Sequence, residues 1–416
     1  MIKAKIFNSV SYAAPSRPVE RRGTMDEQEY TVEEIRGLVA FRALESEWRD
    51  LVERAPEASL YHTWEWLQAR LETHCVDEQV AVLLVRSRGG GRLVGAASLI
   101  HDREGEYWCT GSLTMPDERI DVLLAGPPTA ILGAVLGHLR RTRSRWRLGL
   151  PRLPETSPLV PAIPGAARGA GVRLFVRPSE PSRLVRTDGG WDAYLASRRS
   201  KVRREWRRKQ KRLEAQGRVE IVTATDPETA ERVIDDVLAI EEKSWKLDGD
   251  NGKTVHRHIT AFYPALTRSC ADRGWLRLHV LYLDGKPIAY LYGVLFRDLL
   301  YALWTSYDGE YASLSPGIVI VLHGLRRAFE EGVPVVDFLG AETRWKIEVS
   351  DGTRSHVHVC AFSTAHLGCW ACSAARGRLK PLLKERAPTL LVGAKRAVER
   401  ARGLWRRPAS APPPQR

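Results

Sequence analysis

The same order of hydrophobic patterns runs twice along the chain, and this repetition narrows the fold more than any other feature. In the first copy, Leu44, Trp48, Leu51 and Val52 after Phe41, then Trp64, Trp66, Leu67 and Leu71, have helical spacing. The β-branched run Val80–Val85, the turn Gly89-Gly90-Gly91 and the run Leu93–Ile100 then read as strand, turn and strand. Ile120–Leu124 predicts a further strand, Gly126-Pro127-Pro128 opens a helix through Leu139, and Trp146–Leu150 predicts another strand. The second copy has helices around Ala230–Trp245 and Ala261–Arg273, then strands Leu276–Leu283 and Ile288–Phe296 about Asp284-Gly285-Lys286. A strand at Leu299–Tyr307, a helix at Gly317–Glu331 and strands at Val335–Leu339 and Val357–Phe362 complete it. The expectation is an α/β (α+β) chain of two tandem lobes, each a mixed central sheet flanked by helices.

The prolines between Pro151 and Pro164 suggest the start of a linker, with Val172–Val176 returning a strand to the first lobe. A cut near residue 185 gives lobes at 31–185 and 186–366. Residues 1–30 and 408–416 lack hydrophobic periodicity and are expected to be disordered tails. Residues 367–407 alternate apolar and basic side chains, as in Leu382, Leu383, Leu390, Leu391, Val398 and Leu404, and predict a basic helical segment able to rest on an anionic bilayer or to pack on the second lobe.

A chain of 416 residues with 44% hydrophobic and 27% charged residues can bury two ordinary cores. The formal charge of +14 points to an anionic partner without saying which: nucleic acid, phospholipid or a phosphate-bearing co-substrate. Six scattered cysteines fit a reducing compartment rather than a disulfide scaffold. Met1–Arg22 holds no apolar run of about 7–15 residues, and no segment reaches roughly 18, so the expected location is cytoplasmic, with peripheral contact to the inner face of the membrane through the basic C-terminal segment.

Four constellations can carry chemistry. In Tyr307-Asp308-Gly309-Glu310-Tyr311-Ala312-Ser313-Leu314-Ser315-Pro316-Gly317, a strand leads into a helix for which Ser315 suits the N-cap and Pro316 the first position. The free N–H groups of such a helix start can hold a pyrophosphate, and Gly317 lets it approach the backbone; the plain alternative is an ordinary capped helix. From Arg198 to Arg212, ten of fifteen residues are Lys or Arg around Trp206. This segment reads as a solvated face, a phosphate-binding surface or a nucleic-acid site, and not as a core helix. Asp337-Phe338-Leu339-Gly340-Ala341-Glu342-Thr343-Arg344-Trp345-Lys346 places acid, guanidinium and ammonium after a strand. Lys346 can stabilise an oxyanion or pair with Glu342 or Glu348. Glu241, Glu242 and Asp337 are candidate bases, and Tyr307 or Tyr311 can protonate a leaving thiolate or simply pack. Finally, Cys369 and Cys372 with His366 supply only half a zinc site, and no metal is expected.

Taken in order, Ser197–Gly217, Glu241–Lys246, Tyr307–Gly317 and Asp337–Lys346 resemble the CelD/BcsL-type acetyltransferases, a GNAT-related family that is similar to the Fem peptidoglycan aminoacyltransferases. The resemblance implies two GNAT-like lobes and an acyltransferase that moves an acetyl or other acyl group from acyl-CoA to an amine or hydroxyl of a cell-envelope or polysaccharide-related acceptor. It assigns Ser315, Pro316, Gly317 and Ile318 to the donor pyrophosphate. Catalysis falls to Lys346, Glu241, Asp337 and Tyr307, and contact with an anionic acceptor to Arg199, Arg203, Arg207, Trp245 and Arg344. The usual Arg/Gln-x-x-Gly-x-Gly/Ala loop is absent, which keeps other donors open. The alternatives are a Fem-like transfer from aminoacyl-tRNA, and a non-catalytic nucleic-acid or membrane-surface binding protein.

Overall fold

The computed structural model describes residues 29–74, 79–101, 106–109, 121–144, 146–244, 252–340 and 342–363. The tails, the basic segment 367–407, His366, Cys369, Cys372, Lys246 and Trp245 lie outside the described residues.

The first half runs β1 (Tyr30–Arg36), α1 (Leu38–Arg42), α2 (Glu45–Arg54), α3 (Trp64–His74), β2 (Val80–Ser87), β3 (Leu93–His101), β4 (Glu106–Cys109), β5 (Leu123–Leu124), α4 (Pro128–Thr142), β6 (Arg147–Pro154), α5 (Leu159–Ala170) and β7 (Arg173–Arg186). The second runs α6 (Gly190–Ser197), α7 (Ser200–Glu214), β8 (Val219–Ala224), α8 (Pro227–Glu242), α9 (Gly252–Asp272), β9 (Leu276–Leu283), β10 (Lys286–Phe296), β11 (Leu299–Tyr307), α10 (Pro316–Glu330), β12 (Val335–Asp337), α11 (Arg344–Val349) and β13 (Gly352–Phe362). Local chemistry explains several boundaries. Asp284 and Gly285 both have positive φ (50° and 77°), the backbone a tight two-residue hairpin demands between β9 and β10. Asp226 caps α8 by accepting from the Thr229 N–H at 2.9 Å, with Pro227 in the first helical position.

The fold class is the expected one, but the two halves share a single sheet of thirteen strands ordered β1-β2-β3-β4-β6-β13-β7-β12-β11-β10-β9-β8, with β5 beside β3. The order is a near-palindrome. Each half ends by lending its last strand to the other: β13 lies against β6, and β7 lies against β12. Between them β7 and β13 pair antiparallel, from Phe362↔Arg173 to Gly352↔Leu184. This exchange satisfies strand edges that each half alone would leave open.

Two expectations need correction. The Pro151–Pro164 stretch is not a linker but the end of β6, a short turn and the first half of α5. Pro161 falls in the first turn of that helix, where its missing N–H costs no intrahelical bond. Likewise the basic helix α7 does reach a core: Trp206 is 5% exposed and Leu213 fully buried, on the face shared with Val202.

A second core spans both halves. Trp66 of α3 meets Phe262 of α9 edge-on at 5.2 Å and stacks with Trp304 of β11 at 6.2 Å. Arg297, in the β10–β11 turn, donates to the carbonyls of Val52, Ala55 and Pro56. Among the described residues no helix is long and apolar enough to cross a membrane.

Candidate functional site

β11 and β12 pair in parallel only from Leu299↔Val335 to Tyr301↔Asp337. β11 then continues past β12 to Tyr307, while the chain beyond β12 turns away through Phe338, Leu339 and Gly340. Two parallel strands that part in this way open a wedge at the carboxyl end of the sheet, with the start of α10 at its mouth.

The β11–α10 turn forms because Asp308, 3% exposed, accepts from the Glu310 N–H at 3.0 Å and lies 3.6 Å from Lys243 Nζ. Arg212 of α7 donates to the Ser313 carbonyl at 2.9 Å and ties the basic helix to the same turn. Ser315 occupies the N-cap position, but in a left-handed conformation (φ 58°, ψ 46°), and its side chain caps nothing. The expected serine cap is therefore absent. A left-handed backbone aims the hydroxyl differently from the extended backbone a capping serine needs. Pro316 has no N–H to offer, so the first free donors of α10 are those of Gly317 and Ile318. A Cβ on Gly317 would stand 3.1 Å from the Tyr307 ring, which packs over this glycine.

Across the wedge, Asp337 is fully buried and surrounded by donors. Its Oδ1 accepts from the Leu339 N–H at 2.9 Å, and its Oδ2 from Arg354 at 3.2 Å and Ser182 Oγ at 3.4 Å. Lys346 donates to the Leu339 carbonyl at 2.8 Å and stands over the Trp345 ring. Of its two candidate surface pairs, neither Glu342 nor Glu348 takes it: Glu342 meets Arg183 at 2.5 Å, and Glu348 meets Arg344 at 2.9 Å. Arg344 itself is 93% exposed.

Glu241, near the end of α8, which is joined to the β11–α10 turn through Ser244↔Asp308, is 2% exposed and accepts from the Tyr290 hydroxyl, which lies 3.2 Å from the Tyr263 hydroxyl. Burial, followed by the neighbouring Tyr263 and Glu241, pushes the Tyr290 phenol well above its ordinary value, so it remains a donor. Ser244 and Ser306 hydrogen-bond at 2.7 Å beside this cluster. On α7, Arg203 and Arg207 face a common groove with Trp206, whereas Arg199 is the exposed N-cap residue.

Sequence reasoning missed Tyr290, Tyr263, Ser182 and Arg354. Each belongs to a strand or helix whose local pattern says only that it is buried, and each meets its partner through the sheet. It also missed a cavity of about 370 Å³ between the halves, lined by His62, Asp121, Ser157, Arg297 and Arg354. There His62 Nδ1 accepts from the Ser59 N–H at 3.0 Å, and its Nε2 lies 2.7 Å from Asp121 Oδ1. Both imidazole nitrogens thus already face a partner, and both arginines are engaged.

Residues 200–347, about a third of the chain, match the family model described as an acetyltransferase (GNAT) domain. No curated protein matches the sequence. Among solved structures, a conserved protein of unknown function from Bacteroides thetaiotaomicron is similar at 12% identity, with 80% of this chain and 100% of that one covered and a TM-score of 0.51. The C-terminal domain of a putative lysylphosphatidylglycerol synthetase from Agrobacterium fabrum follows at 12% identity, with 79% and 96% covered and a TM-score of 0.49. FemX gives 11% identity, 79% and 96% covered, and 0.49. At such identities the likeness concerns the fold alone.

Proposed function

We propose that this chain is an acyltransferase that takes an acyl group from acyl-CoA and transfers it, in the wedge between β11 and β12, to an amine or hydroxyl of an anionic, envelope- or polysaccharide-related acceptor. The observation that carries this reading is the parting of β11 from β12 after Tyr301↔Asp337, with the uncapped start of α10 at the opening. β11 runs on past its pairing with β12, and this stretch can hydrogen-bond an extended pantetheine arm as a further strand would. The N–H groups of Gly317 and Ile318, with Ser315 and Pro316 shaping the approach, suit its pyrophosphate. The acceptor class rests on the family resemblance of the sequence.

Transfer forms a C–N or C–O bond as the thioester C–S bond breaks, and the proton lost by the acceptor must end, directly or through a base, on the thiolate. Glu241 is the base in this reading, held in place by Tyr290. Asp337, whose oxygens accept three donors, is instead a positioning residue. Lys346 fixes the loop that walls the wedge and keeps positive charge beside it, where a developing oxyanion is stabilised. Tyr307, packed on Gly317, is the proton donor to the leaving sulfur in this reading.

Calorimetric titration with acetyl-CoA and with desulfo-CoA tests this. Saturable binding that is lost in Gly317→Leu supports the donor site. Absence of binding by the unaltered protein, at low and at moderate salt, rejects it and brings aminoacyl-tRNA forward as donor.

A further inference from the structure

The groove between α7 and α10 is separate from the wedge. Trp191, Leu195, Arg203, Trp206, Arg207, Gln210, Ile221, Val319, Leu322, His323 and Arg326 enclose about 290 Å³, near the lower end of small-ligand pockets, about 300–1,000 Å³. Arg212, near the end of α7, donates to the Ser313 carbonyl just before α10 and ties the two helices together here. Of the first turn of α10 only Val319 lines it, and Ser315, Pro316, Gly317 and Ile318 do not.

Two properties of this groove are hard to explain as packing. First, its walls carry cations and no carboxylate. Arg326 is held by Glu330 at 2.9 Å, and Glu205, the one acid in the middle of α7, serves Arg208 at 2.9 Å. Among the described residues Arg203 and Arg207 have no carboxylate at all, which leaves two guanidinium groups one helical turn apart on the same face. Second, three nitrogens on its lining are buried without a hydrogen-bond partner: Arg203 Nε, Trp206 Nε1 and His323 Nε2. Trp206 is 5% exposed. Buried donors without acceptors cost stability, and the guanidinium and indole N–H groups around one hollow call for a ligand that supplies acceptors. The remaining lining, Trp191, Leu195, Ile221, Val319 and Leu322, is apolar.

We infer that this groove binds a phosphate ester with an aromatic or apolar body: Arg203 and Arg207 take the phosphate oxygens, and Trp206, Trp191 and the aliphatic wall take the body. Guanidinium groups match phosphate in a forked geometry, and Trp206 Nε1 adds a neutral donor between them. Nucleoside monophosphates and isoprenyl phosphates share this chemistry, and the two sources are separable by experiment.

Full-length protein is titrated calorimetrically with UMP, with farnesyl phosphate and with inorganic phosphate. Binding of one ester at least tenfold tighter than inorganic phosphate is expected, and the tighter ester identifies the source. The double variant R203Q/R207Q should weaken that ester at least tenfold, and Trp206→Phe, which keeps the packing but removes the donor, about three- to tenfold. Gly317→Leu should bind the ester normally, so that failure of this site and failure of the donor site are told apart. Equal binding of all three probes, no binding of either ester, or full affinity in the folded R203Q/R207Q variant overturns the inference.

Discussion

Asp337 and Lys346 grip the two ends of one residue: Asp337 Oδ1 accepts from the N–H of Leu339 at 2.9 Å, and Lys346 Nζ donates to its C=O at 2.8 Å. Leu339 has φ 50° and Gly340 φ 56°, so the chain leaving β12 passes through two successive left-handed residues. For leucine that conformation costs about 1 kcal/mol or more and persists only where its surroundings impose it. The acid and the ammonium impose it, and with it the outward turn that keeps β12 from following β11.

Lys346→Ala removes one side of that grip and the positive charge beside the wedge. Thiol release from acetyl-CoA is expected to fall about 100–1,000-fold while the far-UV spectrum is unchanged, the range typical of losing one group that stabilises an oxyanion. Lys346→Arg should restore part of it, because a guanidinium can still reach a carbonyl. Full activity in the alanine variant would remove Lys346 from the mechanism.

Asp337→Asn leaves Arg354 facing an amide in place of a fully buried carboxylate. Removing one partner of a buried ion pair costs about 3 kcal/mol, so the urea midpoint should drop clearly. The double variant Asp337→Asn/Arg354→Met should recover part of the loss. A midpoint unmoved by the single change would show that the pair contributes little.

Most elements were legible in the sequence because their signals are local. The Asp284-Gly285 hairpin, the helix around Ala230 and the apolar runs of β2, β9 and β10 all depend on neighbours within a few residues. The exchange of β7 and β13 was not legible, since which strand lies beside β6 depends on an edge more than 150 residues away in sequence. The same limit applies to the site. Asp337 and Lys346 stood out by residue type, but their shared partner is a backbone amide, which carries no sequence signal. Glu241 stood out as an acid, whereas Tyr290 and Tyr263 read only as strand and helix interior. On α7 the density of charge hid the Val202, Trp206, Leu213 face that anchors the helix.

Tyr290→Phe strips the hydroxyl donor from Glu241 and leaves a carboxylate buried with one hydrogen bond fewer. A loss of about 1–3 kcal/mol of stability is expected. Glu241→Gln should cut turnover about 100-fold or more. A Tyr290→Phe enzyme that is less stable but turns over at the unaltered rate would assign the tyrosine to structure alone.

Acid sensitivity is expected to begin at a histidine rather than at the carboxylates. Burial, then His323, Arg327 and Arg277, lower His279 to about 3 from an ordinary 6.5, and its Nδ1 lies 2.9 Å from Thr223 Oγ1. The folded chain therefore keeps this ring neutral while the unfolded chain protonates it near pH 6.5. The stability it confers is complete above pH 6.5 and is lost progressively as pH falls from there toward about 3. Glu34, lowered to about 2 from 4.5 chiefly by its hydrogen bond with His138, adds a separate loss that starts only below about pH 4.5. Thermal unfolding followed from pH 7.5 to 5 isolates the first effect, because Glu34 stays ionised in both states over most of that range. In His279→Asn the decline across this window should flatten, whatever the absolute melting temperature of the variant. An unchanged slope would mean that His279 is not the group whose protonation drives acid unfolding, and would turn attention to the half-buried His323, which burial also lowers.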